Sequence, residues 1–112
     1  MNNLLKCLKA LADKNRLRIV KLLQNKKMCV CEIADVLGVS QPSVSRHLNK
    51  LKSAGLICSE QEGFWTNYYI KDADTMYGRI LLSNIREWIN EDRIVAEDLI
   101  KAKESDRNSI CK

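Results

Sequence analysis

Three observations in this 112-residue chain predict its fold class. Apolar residues recur at helical spacing in four successive stretches before residue 55, a short glycine-containing turn joins the third stretch to the fourth, and two β-branched and aromatic runs follow at once. Together they predict a mainly α protein with a small β-hairpin, a winged helix-turn-helix domain over residues 1–103 that dimerises with itself through its terminal helices.

Each element has its own justification. Leu4, Leu5, Leu8, Leu11 and Ala12 share one helical face, and Asp13 suits the N-cap of a second helix that buries Ile19, Val20, Leu22 and Leu23. Val30, Ile33, Ala34 and Leu37 form a third stripe, closed by Gly38, whose lack of a Cβ permits the left-handed turn. Ser40 suits the next N-cap, and Pro42 falls in the first turn, where a missing N–H costs nothing. The fourth helix turns Val44, Leu48 and Leu51 inward and stops at Gly55. Residues 56–60 and 64–70 read as strands, with Gln61-Glu62-Gly63 as a three-residue hairpin loop; a hairpin placed there is a wing. From about Thr75 to Lys103 one long helical stretch carries Leu81, Ile85, Trp88, Val95, Leu99 and Ala102. That is more apolar surface than one small subunit covers, so residues 75–103 read as a dimer seam interrupted at Asp92. A helix folded back on its own domain is the alternative. Residues 104–112 read as a polar, flexible tail.

Composition narrows the function. With 46% hydrophobic and 29% charged residues the chain is expected to fold, yet it is too short for an enzyme with a deep private active site. No apolar run exceeds four residues and the N-terminus lacks a signal core, so a cytoplasmic protein without a membrane partner is expected. The formal charge is +5, but residues 1–55 carry 11 basic and 3 acidic side chains (+8) and residues 56–112 carry 8 and 11 (−3). A basic first half fits a polyanion partner or a solvated face. Five cysteines, an odd number without a secretion signal, are expected as thiols rather than a disulfide framework.

The segment from Ser40 to Leu48 is the most informative. With Val44, Leu48 and Leu51 inward, Ser43, Arg46, Lys50 and Ser53 point outward, while Gln41, Ser45 and His47 flank them. These are short hydrogen-bonding groups and one Arg at the helix end that enters a major groove. Arg46 can pair with guanine and Gln41 with adenine, whereas Lys50 and Lys52 suit phosphates. His47 is open to two readings, a groove-facing side chain or a partly buried structural one.

Leu11-Ala12-Asp13-Lys14-Asn15-Arg16-Leu17-Arg18-Ile19, Cys29-Val30-Cys31-Glu32-Ile33 and Ser40-Gln41-Pro42-Ser43-Val44-Ser45-Arg46-His47-Leu48 together resemble the arsenic-repressor (ArsR/SmtB) family. The likeness continues through Leu51 to Ile57 and Gly63 to Tyr68, so it spans about residues 4–70 in order. The resemblance implies a homodimeric repressor that holds a palindromic double-stranded operator and releases it on binding metal or metalloid. It also puts Cys29-Val30-Cys31 at the family's Cys-x-Cys metalloid motif, making Cys29 and Cys31 the candidate thiolate ligands for arsenite or antimonite. Packing alone is the other reading of these two residues.

On a regular helix, residues i and i+2 do not face each other. Both sulfurs could therefore hold one ion only if the first turn of the third helix is irregular. The family's further Cys, one turn on, is Ala34 here, so a third thiol would come from Cys111, then Cys7, or Cys58. The family's zinc-type sites on the last helix require histidines, and His47 is the only one. The wing also departs from the family's basic tip, because Glu60 and Glu62 flank Gln61. An alternative in the same class is a redox or persulfide sensor using the same thiols. An arsenic-linked reductase would need a Cys-x5-Arg loop, and none is present.

Overall fold

The computed structural model describes residues 1–105. Its elements run α1 (Asn2–Leu11), α2 (Lys14–Asn25), β1 (Met28–Cys29), α3 (Val30–Leu37), α4 (Gln41–Ser53), β2 (Cys58–Glu62), β3 (Trp65–Tyr69), α5 (Met76–Glu87) and α6 (Arg93–Glu104). The tail expected over residues 104–112 lies outside the described residues from 106 onward.

Local chemistry sets the helix ends where the sequence places them. The Asp13 carboxylate accepts from the Arg16 N–H (3.0 Å), and Ser40 Oγ accepts from the Ser43 N–H (3.2 Å). Each satisfies a backbone donor that the first turn leaves orphaned. Gly38, at φ +71°, closes α3. Behind these caps the core is one cluster in which Ile19, Leu22, Met28, Ile33, Leu48 and Leu56 are almost fully buried.

Three features differ from expectation. The hairpin loop has two residues, not three: Glu62 pairs with Trp65, leaving Gly63 (φ +60°) and Phe64 as the turn. A glycine first in a two-residue loop matches the right-handed twist of the flanking strands. The hairpin also gains a third strand, since Met28 and Cys29 pair antiparallel with Tyr68 and Asn67 to give the order β1-β3-β2.

Third, the long C-terminal helix is two helices. The chain leaves the helical path after Glu87, Ile89 takes φ +55°, and Asp92 caps α6 by accepting from the Ile94 and Val95 N–H groups. Asp92, the polar interruption in the stripe, is thus the start of a new element. The second half folds back, with α6 packing on α2 and α3.

Candidate DNA-reading face and thiol site

Helix α4 presents Gln41, Arg46 and Lys50 to solvent, with Ser43, Ser45 and His47 half-buried. Its inner side is locked by Val44, Leu48 and Leu51, each fully buried, so the outer side chains sit on a rigid support. Lys52 donates to Ser59 Oγ (2.7 Å) and so ties the end of α4 to the wing.

His47 belongs to a structural cluster. Its Nδ1 lies 3.2 Å from Arg16 Nη1, and the same guanidinium donates to the Ala10 carbonyl (2.6 Å) and the Lys9 carbonyl (3.2 Å) at the end of α1. Arg16 has no acceptor capacity, so His47 Nδ1 accepts and the ring is neutral. Burial pushes the His47 pKa below its usual range, and the Asp13 charge opposes this only in part. Asp13 itself is held low, first by the Arg16 N–H and then by the Arg16 charge, against the opposing effect of burial. Arg16 thus joins α1, α2 and α4, a role that apolar periodicity gave no means of finding.

The Cys29-Val30-Cys31 segment straddles a strand and a helix. Cys29 ends β1 in extended conformation (φ −92°, ψ 169°), and Cys31 lies in the first turn of α3. The expectation that both cysteines are helical is thereby corrected. Pairing with β3 holds the chain extended through Cys29, and the two sulfurs come within 3.3 Å. Both residues are buried, and while Cys29 is a free thiol Cys31 is disulfide-bonded, which corrects the expectation that all five cysteines are thiols. Glu32 Oε1 accepts from the Cys29 N–H (3.1 Å), bracing this corner.

The local charges also differ from what sequence proximity suggests. Lys26 donates to the Ala102 carbonyl (2.8 Å) and Lys27 to Glu60 (2.8 Å), so both ammonium groups are engaged elsewhere. Burial is the main influence on the Cys29 thiol and pushes its pKa up.

Among the described residues no group of three His, Cys, Asp or Glu side chains converges to hold a metal ion. Cys7 is a core residue whose thiol donates to the Ala54 carbonyl (3.6 Å), and Cys58 sits on β2 opposite Tyr69. Cys111 lies outside the described residues.

Against this geometry, the model of the family described as "Bacterial regulatory protein, arsR family" matches residues 13–59. The chain is 34% identical over 92 residues to the Arsenic resistance transcriptional regulator ArsR1 of Pseudomonas putida, covering 77% of this chain and 71% of that protein. The chain belongs to the arsR family. This regulator is also 52% identical over 65 residues to an uncharacterized HTH-type transcriptional regulator of Methanocaldococcus jannaschii, across 57% of this chain and 73% of the other. Among solved structures it is similar to a homodimeric winged helix-turn-helix DNA-binding domain of Mycobacterium bovis. That likeness has a TM-score of 0.67 at 29% identity, covering 80% of this chain and 81% of the other. The arsR-family protein is therefore a DNA-binding transcriptional regulator and not an enzyme. No helix among the described residues is long and apolar enough to cross a membrane.

Polar fastening of α2 to the C-terminal helices was not foreseen. Arg18 grips the buried Asp98 through two hydrogen bonds of 2.8 and 2.9 Å. Lys21, also buried, donates to the Ile85 (2.8 Å) and Trp88 (3.0 Å) carbonyls where α5 ends. A cation there satisfies orphan carbonyls and meets the negative end of the helix dipole. One signal was available: Asp98 occupies an apolar position between Val95, Leu99 and Ala102, and a carboxylate in a stripe calls for a buried partner.

Proposed function

We propose that this arsR-family regulator is a homodimeric repressor of the cytoplasm. It holds a palindromic operator through Gln41, Ser43, Ser45, Arg46 and Lys50 and releases it when arsenite or antimonite binds the thiolates of Cys29 and Cys31. His47 serves the reading helix as a support, through Arg16, rather than as a base reader. The observation that carries the proposal is the approach of the two sulfurs to 3.3 Å at the strand–helix junction. Soft thiolates favour soft ions; Cys29 is a free thiol and Cys31 is disulfide-bonded, so once that bond is reduced one ion can touch both sulfurs without unwinding α3 first.

The site is joined to the DNA-reading parts in two ways. Helix α3 packs against α4, and Cys29 is paired with Asn67 of β3 in the wing. A ligand that pulls on Cys29 thus moves the N-cap of α3 and the wing ladder together, biasing the dimer away from its DNA-competent geometry. The dimer surface is α1 with α5, which pack on each other and leave Leu5, Leu8, Tyr77 and Ile80 exposed.

The close sulfurs also suit the rival reading, oxidative sensing by the same thiols. One titration separates the two. A duplex selected in vitro by the wild-type protein is bound under constant reductant, then challenged with arsenite or with hydrogen peroxide. Arsenite is expected to release the wild-type protein, while Cys29→Ser binds the duplex normally and stays bound. Release of the variant at the wild-type arsenite dose removes Cys29 from the mechanism. Release by peroxide alone establishes the redox reading instead.

A further inference from the structure

Phe64 forms the second residue of the wing turn and is 102% exposed, the most open large apolar side chain among the described residues. Its setting is stiff. Thr66 Oγ1 donates to Gln61 Oε1 (2.8 Å), and Gln61 Nε2 donates to the Gly63 carbonyl (3.1 Å), closing the tip on itself. The hairpin base is tied to α4 by Lys52 and Ser59, so the tip holds a defined position relative to the reading helix.

The charges around the tip exclude the usual alternative. No Lys or Arg occurs from Cys58 to Ile70, so the hairpin has no cation of its own to meet a phosphate. Its two acids are each paired, Glu60 with Lys27 (2.8 Å) and Glu62 with the Asn67 amide (2.8 Å), and Phe64 is the fully exposed apolar group of the turn. Apolar wedges of this kind enter the minor groove between base steps, where phosphate pairing is not required.

We infer that Phe64 is a DNA-contacting residue that inserts into the minor groove flanking the site read by α4. The wing thus contributes affinity and shape selection without charge. The inference rests on the operator-binding reading above, and its test keeps the two apart. The selected duplex is labelled with 2-aminopurine at each flanking step, and binding to wild-type protein, Phe64→Ala, Phe64→Lys and Arg46→Ala is followed across a salt series.

Wild-type binding should raise 2-aminopurine fluorescence at one flanking step as the base unstacks. Phe64→Ala should lose that signal and bind about tenfold more weakly, with the same slope of log K against log salt. Phe64→Lys should steepen the slope by about one phosphate contact. Unchanged affinity in Phe64→Ala overturns the inference, as does weaker binding with the fluorescence rise intact. Because Phe64 is fully exposed, an unchanged melting temperature identifies any loss as one of DNA contact. Failure of the wild-type protein to bind any duplex, or of Arg46→Ala to weaken binding, would instead count against operator reading by α4.

Discussion

Helix α5 leaves Tyr77 and Ile80 open to solvent, and α1, packed against it, leaves Leu5 and Leu8 open as well. Helix α6, of the same 12-residue length, turns Val95, Asp98 and Ala102 into the protein against α2 and α3 and leaves Ile100 as its one exposed large apolar side chain. Both are amphipathic, and by periodicity they form one stripe interrupted only at Asp92. What separates them is polar fastening. Helix α6 is anchored along its length by Arg18 on Asp98 and by Lys26 on the Ala102 carbonyl. Helix α5 is fastened on its inner side and toward its end, by Gln24 on the Leu82 carbonyl and by Lys21, so the outer apolar face of its first half remains available for a second copy. Pattern alone says that a face will be buried; complementary polar groups decide against what.

The largest expected effect comes from breaking the α6 anchor. Asp98→Ala leaves the Arg18 guanidinium partly buried without its carboxylate, which should cost about 3 kcal/mol and lower the melting temperature by about 15 °C. Thermal unfolding measures it directly, and a loss below about 1 kcal/mol would show that apolar packing alone docks α6. The next effect belongs to the other helix. Ile80→Glu should weaken self-association by about 30-fold, near 2 kcal/mol, in sedimentation or concentration-dependent fluorescence. The monomer's secondary structure should be unchanged. Equal association of the variant and the wild type would move the dimer surface away from α5.

The smallest effect contrasts the charged anchor of α6 with the neutral one of α4. The folded state holds the His47 pKa below the ordinary histidine value of 6.5, so the unfolded chain binds more protons as pH falls below that value. Stability from this group is therefore present above pH 6.5 and is lost progressively on acidification toward the folded pKa. His47→Gln should flatten the denaturation midpoint across that window. An equal acid slope in both proteins would assign it to other groups.

The helix ends were legible because capping is local. Asp13, Gly38 and Ser40 act on atoms within a few residues of themselves. The inner face of α4 was legible for the same kind of reason, since Val44, Leu48 and Leu51 recur at one turn. The thiol pair was legible as a motif and misread as geometry. Only Cys29's pairing with Asn67, 38 positions later in the sequence (67 − 29), draws it out of the helix and onto Cys31. The Arg16–His47 and Arg18–Asp98 contacts span 31 and 80 positions, beyond any local rule.

By itself, then, the sequence determined the capped ends at Asp13, Gly38 and Ser40, the presence of a wing and the family to which the chain belongs, because each is written in short-range spacing or in a shared motif. The tertiary structure alone decided that α6, beyond the break at Asp92, folds back on α2 and α3, that Cys29 lies on a strand, and that His47 supports α4 through Arg16. Those outcomes depend on which distant polar group arrives to satisfy a buried donor, carbonyl or charge, and such meetings exist only once the chain has closed on itself.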